Sequence, residues 1–132
     1  MATKTFLIVG ATGTQGSSVI SAILSTHSLP PLQILALTRN TSSSKAKALA
    51  ALDPRVKLLA GDPTAPEKIF KSAKTQIDGV FCVTVHGPKG SEEAQAEGLI
   101  DASLAREPSF SRSIIFLLRK SCDFVLLSRY CL

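Results

Sequence analysis

An α/β three-layer fold, one parallel sheet with helices on both faces, is predicted by three observations. Four short apolar runs alternate with segments of helical period through residues 6–105. No two-residue hairpin turn separates any consecutive pair of those runs. A glycine-rich loop, Gly10 to Gly16, joins the first run to the first helical segment.

Phe6-Leu-Ile-Val9 is continuously apolar and stops at Gly10. That pattern suits a strand buried on both faces, for which alternation is not expected. From Gln15 the period changes, and Val19, Ile20, Ile23 and Leu24 share one helical face until His27, with Pro30 and Pro31 forbidding continuation. Ile34-Leu-Ala-Leu37 is the second strand. Thr41 to Ser44 offers several N-cap residues for a helix over 45–52, ended by Asp53-Pro54. Val56 to Ala60 is the third strand, closed by Gly61-Asp62.

Thr64-Ala-Pro-Glu67 has capping-box spacing, with Pro66 tolerated in the first turn. The helix it opens turns Ile69 and Phe70 inward and Lys68, Lys71 and Lys74 outward. Asp78-Gly79 precedes a fourth strand over 80–85, rich in β-branched and aromatic residues. Ser91, followed by Glu92 and Glu93, caps a last helix reaching about Ala105. Right-handed crossovers then give the strand order 3-2-1-4 of a Rossmann-type fold. Two further apolar runs follow, Ile114 to Leu118 and Phe124 to Leu127, with no helical pattern between them. Either supplies a fifth strand, the first being the better fit. With only four strands, the fourth would be an exposed edge.

The chain has 132 residues, enough for one domain with a genuine core. Apolar residues make up 45% and charged residues 19%, which excludes a largely disordered chain. No run approaches the roughly 20 apolar residues of a membrane helix, and the first residues read as a strand instead of a signal peptide. A cytoplasmic address is expected, with the nucleus as the other. Cys82, Cys122 and Cys131 lack metal-ligand spacing and read as incidental thiols, Cys82 in the core. His27 and His86 are isolated.

The net charge of +5 is unevenly placed. Residues 1–52 hold Lys4, Arg39, Lys45 and Lys47 and no acid. An acid-free segment around a glycine loop suits an anionic ligand. Nucleic acid is not the expected one, because no basic helix face or aromatic-rich sheet accompanies the charge.

The loop itself has the parts a dinucleotide site needs. Gly10 lets the chain turn out of the strand, Gly13 leaves room for a pyrophosphate, and Gly16 lets helix and strand pack closely. Ala11 belongs to the same binding loop, Thr12 adds a hydroxyl, and the N–H groups near Thr14 and Gln15 face an anion along the helix dipole. A tight turn that binds nothing is the plainer reading. At the second strand end, where NAD sites usually place a carboxylate, this chain has Leu37-Thr-Arg39-Asn40, and its first acid is Asp53. Arg39 there fits a 2′-phosphate and adenine stacking, so NADP(H) is the expected cofactor. A solvated arginine is the alternative. Lys45 and Lys47 add to the field without contact. Asp62 fits two readings equally: a partner for the adenine amino group, or a residue leading into the third helix. Thr84 either lines the ribose–nicotinamide crevice or is an ordinary strand residue.

Together these residues resemble the NmrA-like family, an atypical branch of the short-chain dehydrogenase/reductases. The likeness lies in Gly10 to Gly16, in Leu37 to Asn40, in Ala60 to Asp62, in Gly79 to Thr84, and in Glu92 to Gln95 through Leu99 to Ser103, covering roughly residues 4–105. It implies a nucleotide-binding domain over 1–105. Members include reductases and redox-sensing regulators that bind nucleotide and contact a transcription factor without turnover. Residues 106–132 depart from the family pattern. The expectation is an atypical basic and apolar tail, read out of frame or through an intron, in a truncated product.

Short-chain dehydrogenases move a proton with a tyrosine and a lysine four residues later. The single tyrosine, Tyr130, is followed only by Cys131 and Leu132. No catalytic triad or carboxylate pair replaces it, since Glu97 and Asp101 read as a solvated helix face. The function expected is an NADP(H)-binding, redox-sensing module without autonomous catalysis, with a transcription regulator as protein partner. The alternative is a truncated NADPH-dependent reductase of the isoflavone-reductase-like kind that lacks its substrate-binding half.

Overall fold

The computed structural model describes residues 3–29, 31–83, 94–95, 97–99 and 101–102, and the backbone of 114–118 and 124–128. Six strands form one sheet in the order β3-β2-β1-β4-β5-β6. They are β1 (Lys4–Val9), β2 (Leu32–Thr38), β3 (Val56–Ala60), β4 (Gly79–Val83), β5 (Ile114–Leu118) and β6 (Phe124–Ser128). The helices are α1 (Thr14–Ser25), α2 (Ser44–Leu52) and α3 (Pro66–Ala73), and the described residues from 94 to 102 are helical too.

The order 3-2-1-4 is the one expected, and all three of its pairings are parallel. β5, the run read as the better fit for a fifth strand, joins it in parallel beside β4, so β4 is not an edge. Both late apolar runs are strands. β6 pairs antiparallel to β5, with Leu118 opposite Phe124. The connection between them is too short for a crossover, which takes a dozen or so residues, so the chain must reverse.

The runs of β1, β2 and β4 each serve two cores, which explains their missing alternation. Leu7, Val9, Leu35, Leu37, Val80 and Cys82 point to one face, where Ile69, Phe70 and Leu99 close over them. Ile8, Ile34, Ala36 and Phe81 point to the other, where Ile20 of α1 and Leu49 of α2 meet them. Val19, Ile23 and Leu24 pack against this second cluster, as their spacing predicts. On α3, Ile69 and Phe70 are buried while Lys68, Lys71 and Lys74 are exposed.

Two local expectations at helix starts meet different fates. Ser43 caps α2, its hydroxyl accepting from the Ala46 N–H at 3.2 Å. The capping box at Thr64 does not form: Ala65 is the N-cap of α3 and no side chain caps it. The Thr64 hydroxyl donates instead to Asp62 Oδ1 at 2.8 Å. A carboxylate two residues back is a stronger acceptor partner than the helix backbone is a donor to a hydroxyl, and it takes Thr64 out of the cap. At the amino ends of the central strands, Asp78 joins β1 to β4. Its carboxylate accepts from the Thr5 N–H at 2.8 Å, and its own N–H donates to the Thr5 carbonyl at 2.8 Å.

Candidate nucleotide site

The carboxyl ends of β1, β2 and β3 lie side by side, and the turns leaving them surround one cleft. In α/β sheets ligands bind outside the carboxyl ends of the strands, and here the strand order reverses beside β1, between it and β4. β1 delivers Gly10 at φ 77°, a left-handed conformation that glycine adopts without steric cost. The Gly13 N–H closes the turn on the Gly10 carbonyl at 3.1 Å. A Cβ on Gly16 would run into that same carbonyl and lie 2.8 Å from Ala11 Cα. The start of α1 therefore sits directly against the end of β1, as the sequence reading of Gly16 requires.

Gly13 is the N-cap of α1, with no side chain capping it and no acid in the first turn. The first N–H groups of a helix have no acceptor within it. Those of Thr14 and Gln15 thus present the positive end of the dipole at the loop. Ser17 and Ser18 take no part in this, because their hydroxyls donate back to the Gly13 and Thr14 carbonyls at 2.8 and 2.7 Å.

The cleft has a volume of about 390 Å³ and is lined by Gly10 and Thr12, by Leu37, Thr38, Arg39 and Asn40, by Ser43 and Lys45, and by Gly61 and Pro63. That size falls in the lower part of the roughly 300–1,000 Å³ range of ligand pockets. Of the residues singled out in the sequence, the fold brings Gly10, Thr12, Arg39 and Asn40 to one cavity. Ala11 is not part of the lining; it is fully buried in the core beneath α1. Gly13, Thr14 and Gln15 are exposed at the loop, and Thr84 lies outside the described residues.

The turn after β2 is braced from within. The Asn40 side-chain oxygen accepts from the Ser42 N–H at 2.9 Å, and the Thr38 hydroxyl bonds the Asn40 backbone at 3.3 Å. This holds Arg39 on the cleft wall, with its side chain 64% exposed. Lys45 also lines the cleft. α2 begins so close to β2 that its first turn joins the wall, while Lys47, two residues on and on the far side of the helix, is absent from the lining. Ser43, Gly61 and Pro63 line the cleft without having been expected there. Ser43 had a signal in its N-cap pattern, and Gly61 in its place at a strand end, where a Cβ would meet Leu37 Cδ1 at 2.8 Å.

Asp62 braces the turn that leads into α3. Its Oδ1 accepts from the Thr64 N–H at 2.9 Å as well as from the hydroxyl, and these bonds, with the nearby Arg39 charge, hold its carboxyl below the ordinary carboxylate range. The same oxygen lies 3.7 Å from Arg39 Nη2. An arginine read from the sequence as standing in acid-free surroundings thus faces a carboxylate. Among the described residues no cluster could hold a metal ion, and no helix is long and apolar enough to cross a membrane.

Comparison with known proteins agrees with this fold. A model of the NmrA-like family matches residues 2–107. No curated protein matches the chain. Among solved structures, a NADPH-dependent quinone oxidoreductase, QOR2, from Escherichia coli in complex with NADPH is similar at 29% identity and a TM-score of 0.58. The likeness covers 76% of this chain and 32% of that one. NmrA, a negative transcriptional regulator, in complex with NAD is similar at 23% identity and a TM-score of 0.66, over 87% of this chain and 33% of that one. NmrA in complex with NADP is similar at 23% identity and a TM-score of 0.58, over 80% and 31%. At their identity the two NmrA structures show the fold alone. The chain spans about a third of the length of each of these three proteins.

Proposed function

Since this chain belongs to the NmrA-like family, we propose that it binds a nicotinamide dinucleotide at the carboxyl ends of β1 to β3, NADP(H) in preference to NAD(H). The observation that carries this reading is the single cleft of about 390 Å³ shared by the glycine loop and Arg39. The pyrophosphate lies over Gly10 to Gly16, taking hydrogen bonds from the N–H groups of Thr14 and Gln15 and from the Thr12 hydroxyl. Gly16 is small because α1 starts against β1, and Gly13 is small so that the phosphates approach the backbone. Arg39 pairs with the 2′-phosphate, Lys45 adds positive charge beside it, and Asn40 holds the turn that presents both. Asp62 meets the adenine amino group. Thr84 belongs to the nicotinamide end of the same site.

The domain serves as a nucleotide-binding, redox-sensing module that presents a surface to a protein partner such as a transcription regulator, in the cytoplasm. Support comes from the likeness in fold to NmrA structures described as a negative transcriptional regulator. A second reading is favoured by the likeness to a NADPH-dependent quinone oxidoreductase: a reductase whose substrate-binding half lies in further polypeptide. Bound NADP(H) would supply or accept hydride, while this chain's own residues bind and orient it. Sustained NADPH oxidation by the purified chain with quinone or carbonyl substrates would favour the second reading over the first.

Calorimetric titration with NADPH and NADH, on wild type and Arg39→Ala, tests the cofactor preference. Loss of a charge-assisted contact should weaken NADPH by on the order of 1.5–3 kcal/mol and NADH by little. Equal losses for both cofactors refute Arg39 as the selector.

A further inference from the structure

Arg39 does not meet the cleft unopposed. β2 and β3 run parallel with Thr38 paired to Ala60, so the residue just past β2 and the residue two past β3 arrive at one edge. They carry opposite charges, and Arg39 Nη2 stands 3.7 Å from Asp62 Oδ1. A fully engaged guanidinium–carboxylate pair closes to about 2.7–2.9 Å. At 3.7 Å the arginine is detained without being saturated. The carboxylate cannot follow the guanidinium outward, because Thr64 holds the same oxygen through its N–H and its hydroxyl at 2.9 and 2.8 Å. Thr64 and Arg39 also keep the group ionised below the ordinary carboxylate range. The result is an anion fixed beside the cation that the proposed site offers to a phosphate.

We propose that Asp62 is a specificity-determining residue that competes with the cofactor's 2′-phosphate for Arg39 and so limits the preference for NADP(H) over NAD(H). The proposal rests on the reading that a dinucleotide binds this cleft with its 2′ position at Arg39. A 2′-phosphate must draw the guanidinium from Asp62, whereas a 2′-hydroxyl leaves the pair in place. Both side chains are more than half exposed, at 64% and 51%, so the competition is modest. An exposed pair of this kind changes an equilibrium by about two- to five-fold.

The test is a calorimetric comparison of NADP⁺ and NAD⁺ on the full chain as wild type, Asp62→Asn, Arg39→Ala and the double variant. Asparagine keeps an acceptor oxygen for Thr64, and circular dichroism melting verifies that the fold is retained. Asp62→Ser provides a second neutral replacement. The expected result is a rise of about two- to five-fold in the affinity ratio of NADP⁺ to NAD⁺ when Asp62 is neutralised, with no such rise on the Arg39→Ala background. An unchanged or lowered ratio overturns the proposal and assigns Asp62 to adenine or to the turn alone. The same rise without Arg39 overturns it in favour of direct repulsion of the phosphate. If the wild type binds neither dinucleotide, the nucleotide-binding reading itself fails and takes this proposal with it.

Discussion

Replacing Gly16 by alanine should do what a glycine-to-alanine change in a helix ordinarily does not: destabilise the protein. The added Cβ would collide with the Gly10 carbonyl and sit 2.8 Å from Ala11 Cα. Carbon atoms pack best at about 3.5–4.0 Å, so α1 must retreat by roughly 0.7 Å or more. Both obstacles are backbone and neither swings aside. A gap of that size forfeits a quarter to a half of each contact along the helix, and the contacts at risk include the fully buried Ile20 against Ile8 and Ile34. Overpacking of this kind costs about 1–3 kcal/mol, against about 0.5–1 kcal/mol gained from a better helix former. Gly98 supplies an internal control. It is helical, and a Cβ there would lie 3.4 Å from Pro66 Cγ, an ordinary contact. Gly98→Ala should therefore be neutral or stabilise by up to about 1 kcal/mol. Urea denaturation followed by far-ultraviolet circular dichroism should separate the two midpoints by on the order of 1 M. A Gly16→Ala midpoint at or above wild type, with an unchanged slope, refutes the close approach of α1 to β1. Loss of nucleotide affinity in Gly16→Ala should accompany the loss of stability, because the N–H groups of Thr14 and Gln15 move with the helix.

Asp78→Ala removes the acceptor of the Thr5 N–H, a residue only 4% exposed, and leaves that donor unpaired. It should cost about 1–3 kcal/mol by urea titration, while Asp78→Asn, which keeps an acceptor, should cost visibly less; equal losses would point away from the hydrogen bond. Cys82 is 1% exposed and burial pushes its thiol up to about 12. Mass-spectrometric mapping after iodoacetamide treatment at pH 8 should find it unlabelled in native protein and labelled in urea. The unfolded thiol ionises near its ordinary value of about 8.5 while the folded one stays protonated, so stability should be unaffected below that pH and fall as pH rises toward 12. Cys82→Ala should flatten that alkaline decline, and an unaltered decline would assign it to other groups.

The reach of the sequence differs between elements for a physical reason. Strand β1 and the loop after it are legible because their signals are local. A run buried on both faces needs no alternation, and the Gly10 turn and the α1 start lie within seven residues. The α3 start differs from its local signal, since the spacing of Thr64 and Glu67 says nothing of the competing acceptor at Asp62. The last strands show a third case: their apolar content is plain, but direction depends on what the connection permits, and only the antiparallel pairing of β6 with β5 expresses that constraint.

By itself the sequence determined the order of strands and helices, the two-faced core of the sheet and the glycine loop with its helix dipole. It also marked Arg39 as the charge at the end of β2. Each of these follows from φ preferences, side-chain period and hydrogen-bonding needs within about a dozen residues. Only the tertiary structure decided what stands around Arg39. Lys45 joins the cleft wall because α2 begins there, and Asp62 comes within 3.7 Å because β2 and β3 pair with Thr38 against Ala60. Strand register is set by packing across the whole sheet, so a carboxylate 23 residues further along the chain faces the arginine with no local sign of it.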